Sequence, residues 1–168
     1  MLKKTIEKIL KSDELRIALR TEQNNPHHNA TVGLHTLRVA EKVGDDEILK
    51  VTALLHDLGK VDTKETVNGV DRFHGHAKRS AEIAERLLSD VNAETRQRIV
   101  TLVRMHDDSL PTEKSVRKAL RKLNNNIEDL HRLLTLRKAD ILSQSELDRD
   151  EKLSALENTR QIVQRITQ

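Results

Sequence analysis

The stretch Ala53-Leu54-Leu55-His56-Asp57-Leu58-Gly59-Lys60 sets an imidazole and a carboxylate side by side at the end of an apolar run. Upstream, Ile48, Leu49, Val51, Ala53, Leu54 and Leu55 recur so densely that a helix over them is apolar almost all round, which predicts a helix buried inside a helical core. Asp45 and Asp46 offer its N-cap and dipole-matched charge, and Gly59 reads as its stop. Such a helix carries His56 and Asp57 to an interior position, where buried polar groups need partners. A histidine near the negative end of a helix dipole is the plainer alternative. It leaves Asp57 unexplained, because that end disfavours a carboxylate.

Helical periodicity continues on both sides of this stretch. Leu2, Ile6, Ile9 and Leu10 form an amphipathic segment that Leu15, Ala18 and Leu19 continue or restart after Ser12-Asp13. Asn24-Asn25-Pro26 interrupts the pattern, and Thr31 then caps a helix whose inner face is Val32, Leu34, Leu37, Val39 and Val43, with His35 among them and Gly44 at its end. Val61 to Gly75, with Asn68-Gly69, reads as a loop or a small excursion. Further helices are predicted through Ala77 to Leu88, from a cap at Asn92 through Val103, from Pro111-Thr112 through Leu123, over Ile127 to Ile141, and over Leu153 to Ile166. No repeat, low-complexity tract or linker is visible.

Composition agrees with this reading. Of 168 residues, 36% are hydrophobic and 34% charged, and the single aromatic residue is Phe73. With only 5 Gly and 2 Pro, the chain lacks the turn-rich, aromatic character of sheet proteins, so an all-α, single-domain bundle of about seven to eight helices is expected and a sheet is not. Residues 1–25 read as a helical lead-in, 28–142 as the core that carries the chemistry, and 143–168 as a C-terminal helix. The chain has no Cys, Met1 to Lys8 is broken by charge, and no 18-residue apolar run occurs, which together predict a cytoplasmic protein without a membrane segment. The net charge of +3 admits a phosphate-bearing ligand. Nucleic acid is a weaker expectation, since a stacking platform needs aromatics.

Several of the 8 His fall at the ends of apolar segments rather than on polar faces. Adjacent His and Asp can bind one divalent cation, and the carboxylate can bridge to a second. ALLHDLGK resembles the central signature of the HD-domain phosphohydrolase superfamily, and the order H, HD, H, H, D recurs along the chain. The likeness spans roughly His28 to Asp140. Residues 23–28 (QNNPHH), 31–37 (TVGLHTL), 73–76 (FHGH) and 136–142 (LRKADIL) are similar to the HD domain carried by bacterial tRNA nucleotidyltransferases and related stand-alone proteins. The resemblance implies that His35, His56, Asp57 and Asp140 surround one metal, and that Asp57 bridges to a second held by His76 and His106. His74 is an alternative to His76.

An all-His and Asp set suits Mn, Fe, Co, Ni or Zn, with Mg allowed when waters complete the sphere, so one or two divalent ions are expected. Two metals generate a hydroxide near neutral pH and stabilise phosphoryl charge. Together with this chemistry, the resemblance implies a phosphomonoesterase or phosphodiesterase acting on nucleotides or nucleic-acid ends by attack of that hydroxide. Asp57 and Lys60 are the catalytic candidates, with Lys60, His28 and Arg137 as substrate contacts. Arg137 can instead neutralise Asp140, and Asp107 reads as a ligand or, the favoured reading, as the start of a polar turn. His131 reads as a surface residue. Some relatives use the same six ligands to activate oxygen, which makes a di-iron oxygenase the second reading. A non-catalytic module binding a nucleotide or partner through Arg117, Lys118, Arg121 and Lys122 is the third.

Overall fold

The computed structural model describes all 168 residues. At its centre is α4 (Glu47–Leu55), started by Asp46, whose carboxylate accepts from Leu49 N at 3.0 Å. Leu49, Val51, Thr52, Ala53, Leu54 and Leu55 are all buried, so α4 is covered on every side. Around it pack α1 (Lys3–Leu10), α3 (Val32–Lys42), α6 (His76–Leu87), α7 (Ala93–Met105) and α9 (Ile127–Leu142). The short α2 (Asp13–Ala18) restarts after Ser12, whose hydroxyl caps Leu15 N. Outside this core, α8 (Glu113–Lys122) and α10 (Arg149–Ile166) pack against each other and against α9, with a second apolar cluster between them.

The capping residues read from the sequence do the work expected of them. Thr31 accepts from Leu34 N, Asn92 from Thr95 N and Thr112 from Ser115 N, each satisfying an orphan donor of a first turn. Gly44, at φ 79°, ends α3. A partly buried ionic knot ties the frame together: Asp129 on α9 takes two bonds from Arg98 of α7, at 2.9 and 3.0 Å, and one from Arg132 at 2.7 Å. Arg132 also reaches Asp46 at the head of α4.

Two expectations are corrected. The segment after Lys60 is ordered structure, with α5 (Lys60–Thr63) followed by an antiparallel hairpin of β1 (Glu65–Val67) and β2 (Val70–Arg72). Asn68 and Gly69 turn it with both φ angles positive, at 52° and 78°, the arrangement a two-residue hairpin loop favours. Buried Asp71 pins the hairpin to the chain, accepting from Asn24 N at 2.8 Å and Thr66 Oγ1 at 2.6 Å. Gly59 is not a left-handed helix stop. Its φ is −68°, and a Cβ there would lie 2.4 Å from Ser80 N and 2.5 Å from His76 O. The residue is small because α6 passes against it, and its N–H donates to Ser80 Oγ at 2.8 Å.

Gly59→Ala is therefore expected to destabilise the fold by about 1–3 kcal/mol, through forced separation of α6 from the turn after α4. Urea denaturation checks it: a lower midpoint at unchanged slope is expected.

Candidate metal centre

Six polar side chains converge at one end of α4. His35 comes from the middle of α3, His56 caps the C-terminus of α4 and Asp57 follows it. His76 opens α6, His106 caps the C-terminus of α7, and Asp140 lies in the last turns of α9. His35 and His56 are fully buried, and Asp57, His106 and Asp140 nearly so. The two oxygens of Asp57 divide the cluster. Oδ2 lies 3.4 Å from His35 Nε2 and 3.3 Å from His56 Nε2, while Oδ1 lies 3.4 Å from His76 Nε2 and 3.3 Å from His106 Nε2. Asp140 Oδ1 joins the first group, 2.8 Å from His35 Nε2 and 3.8 Å from His56 Nε2. Two groups positioned to hold a metal ion result, His35, His56, Asp57 and Asp140, and Asp57, His76 and His106, with Asp57 common to both.

The outer nitrogens explain why the inner ones face this way. His56 Nδ1–H donates to Ala53 O at 2.6 Å, His76 Nδ1–H to Phe73 O at 2.9 Å, His106 Nδ1–H to Val103 O at 2.7 Å and His35 Nδ1–H to Ser143 O at 3.1 Å. A carbonyl only accepts, so each Nδ1 carries a proton, and whenever a ring is neutral its Nε2 faces inward as an unprotonated acceptor. Lone pairs then meet lone pairs. His76 Nε2 lies 3.2 Å from His106 Nε2, and buried His56 Nε2 has no hydrogen-bond partner. Only a cation or a proton satisfies such a set, and the residues present fit a divalent metal.

Charge coupling follows the same geometry. Burial pushes the His56 imidazole down, but Asp57 and Asp140 outweigh it and hold it well above the usual histidine range. Burial pushes Asp57 and Asp140 up, yet His56, Lys60 and His106 beside the one, and His35 and His56 beside the other, keep both well below the usual carboxylate range. His28 is pushed down to about 3, first by burial and then by the charges of Lys60 and His35. It is a neutral ring at pH 7.

Lys60 is buried rather than lying in an exposed turn. Its Nζ is 2.9 Å from Gln23 Oε1, 3.3 Å from Asp57 Oδ2 and 3.4 Å from His28 Nε2, and it sits 5.0 Å from the centre of the Phe73 ring. Three ammonium protons thus face three protein acceptors. Arg137 sits at the rim, 3.7 Å from Asp140 Oδ2 and 3.5 Å from Asp107 Oδ1. His74 lines the open pocket but joins neither group, and His131 is exposed on α9. Sequence reasoning underweighted Asp107, whose Oδ2 lies 2.9 Å from His76 Nε2. The repeated His-Asp dipeptide at 106–107 was the available signal. It missed Lys152, Arg72 and Gln144, which also line the pocket and carry no local pattern.

A helical domain whose clustered His and Asp side chains form groups positioned to hold a metal defines a metal-binding class. The family model described as HD domain matches residues 27–145. The chain belongs to the HD-domain superfamily of metal-dependent phosphohydrolases. The match is to the domain as a whole, not to one branch of it. No curated protein and no solved structure matches the chain. No helix is long and apolar enough to cross a membrane.

Metal is expected to raise the melting temperature over that of chelator-treated protein, since an ion at 100 times its dissociation constant adds about 2.7 kcal/mol. The sign of the pH effect follows from the shifts. Raised His56 stabilises the metal-free protein below its unfolded value of about 6.5, and that contribution is lost as pH rises through its folded value. Depressed Asp57 and Asp140 stabilise above about 3.8 and lose this only in acid. Protons also compete with metal for the imidazoles. The melting gap between metal-loaded and chelated protein should therefore widen from roughly pH 6 to pH 9 in thermal scans, and a gap that narrows would contradict metal binding at these rings.

Proposed function

We propose that the chain hydrolyses phosphoesters, as a phosphomonoesterase or phosphodiesterase acting on nucleotides or nucleic-acid ends. The observation that carries the reading is Asp57, whose two oxygens each face a separate pair of imidazole Nε2 atoms. In this reading His35, His56, Asp57 and Asp140 would hold one divalent ion, and Asp57, His76 and His106 would hold a second. The ions supply Lewis acidity, which activates water at neutral pH and offsets charge on the phosphoryl oxygens.

The chain's own residues do the rest. Lys60 orients the Asp57 carboxylate and offsets its charge, held in turn by Gln23 and His28. Neutral His28 hydrogen-bonds at the wall of the site. Arg72, Arg137 and Lys152 line the open pocket above the carboxylates and favour an anionic ligand there. Arg137, tethered through one nitrogen to Asp107 and Asp140, presents the remaining edge of its guanidinium for a phosphate oxygen.

Metal-reconstituted protein is expected to release product from at least one member of a panel of 2′,3′-cyclic, 2′-, 3′- and 5′-nucleotides. Silence across the whole panel, with several metals tried, would sink the proposal. Asp57→Ala is expected to abolish turnover and to lower metal content by elemental analysis. Lys60→Ala and His28→Ala each leave the ligands in place but loosen their support, so a loss of about 10- to 100-fold in activity is expected.

A further inference from the structure

The polar pocket over Asp57 has a neighbour. A second cavity opens between α9, α10 and the segment 106–111, with an apolar wall of Leu110, Leu133, Leu134 and Leu156 and a polar margin that includes Asp108, Ser109, Asn158 and Thr159. Its lining includes His106, whose Nε2 lies 3.3 Å from Asp57 Oδ1, so the cavity abuts the metal centre directly. The two spaces share two lining residues, Arg137 and Lys152.

Both shared residues are cations with capacity to spare. Lys152 donates to Gln144 Oε1 at 2.9 Å and sits 3.2 Å from His27 Nδ1, which leaves one ammonium proton free. Arg137 engages Asp107 and Asp140 through Nη1 only. Burial first, and then the charge of Arg137, push Lys152 below the usual lysine range. Two cations held together at one neck favour an anion between them. Beyond the neck the leucine walls would strip water from a phosphate without replacing it, so they suit an uncharged group. Lys152 stands on α10, past the residues 27–145 that match the family.

We propose that this cavity is the subsite for the organic part of the phosphoester, an uncharged planar group of nucleobase type, with Arg137 and Lys152 gripping the phosphate at its neck and Lys152 acting as a specificity-determining residue. The guanidinium plane of Arg137 can stack on such a ring, and Asn158 and Thr159 can bond its edge. The inference rests on the phosphohydrolase reading for the phosphate itself, but its test is binding rather than turnover.

The probes are non-hydrolysable phosphonate analogues of adenosine 5′-monophosphate and of ribose 5-phosphate, titrated into metal-reconstituted full-length protein by calorimetry. The nucleoside analogue is expected to bind at least about tenfold tighter, a difference of about 1.4 kcal/mol. Ala155 is exposed on the cavity rim, so Ala155→Trp can fold while filling the space, and it is expected to bring the affinity ratio close to one. Lys152→Ala is expected to weaken both analogues about tenfold. Equal binding of the two analogues by the unaltered protein, or a ratio untouched by Ala155→Trp, overturns the cavity assignment, and unchanged affinities in Lys152→Ala overturn the role of that lysine. Tight, base-dependent binding without hydrolysis of any natural ester would refute the phosphohydrolase reading and leave the subsite standing.

Discussion

Four imidazole Nδ1–H groups, each given to a backbone carbonyl, are the constraint on which the rest of this structure depends. Three of the carbonyls lie three residues earlier in the chain, at Ala53, Phe73 and Val103, and the fourth is that of Ser143 across the fold. Each bond fixes Nδ1 as a donor, and the four together aim the Nε2 atoms at the two oxygens of Asp57. A ring rotated by one rotamer would lose its carbonyl and turn a proton inward. The ring orientations are thus set before any ion arrives, by helix ends rather than by the ion.

Holding such a cluster in a buried position demands a frame that does not yield. The apolar surround of α4 supplies it, because close-packed Leu, Val and Ala side chains resist the relaxation by which a polar group would escape to water. The cluster is costly without a cation, so the packing that stabilises the domain also keeps the site poised for one. Gly59 belongs to this arrangement. Its missing side chain lets α6 close on the turn after α4, and α6 is the helix that carries His76.

Around the buried anions stands a rim of cations drawn from unrelated parts of the chain: Lys60 after α4, Arg72 from the hairpin, Arg137 from α9 and Lys152 from α10. Lys60 is bound inward by three acceptors and serves Asp57, while Arg137 and Lys152 retain free donors toward the pocket. The difference is one of burial. A lysine enclosed by the fold must satisfy its protons on protein, whereas rim cations keep theirs for a ligand.

Much was legible from residue order alone. The dense apolar run before His56 marked the buried helix, caps at Thr31, Asp46, Asn92 and Thr112 marked helix starts, and the resemblance to the HD signature implied the six residues that the fold brings together. Periodicity and capping are local, so a linear reading reaches them. The hairpin at 65–72 was less visible, because strands of three residues offer too little alternation and only Asn68-Gly69 signals the turn. What only the tertiary structure decided was which groups face each other: that Asp57 splits its oxygens between two histidine pairs, that Lys60 is buried against Gln23, that Asp107 reaches His76, and that Lys152 of the last helix borders the pocket. Those contacts join residues from separate elements, most of them tens of positions apart, and their distances are a property of the folded chain that no local pattern encodes.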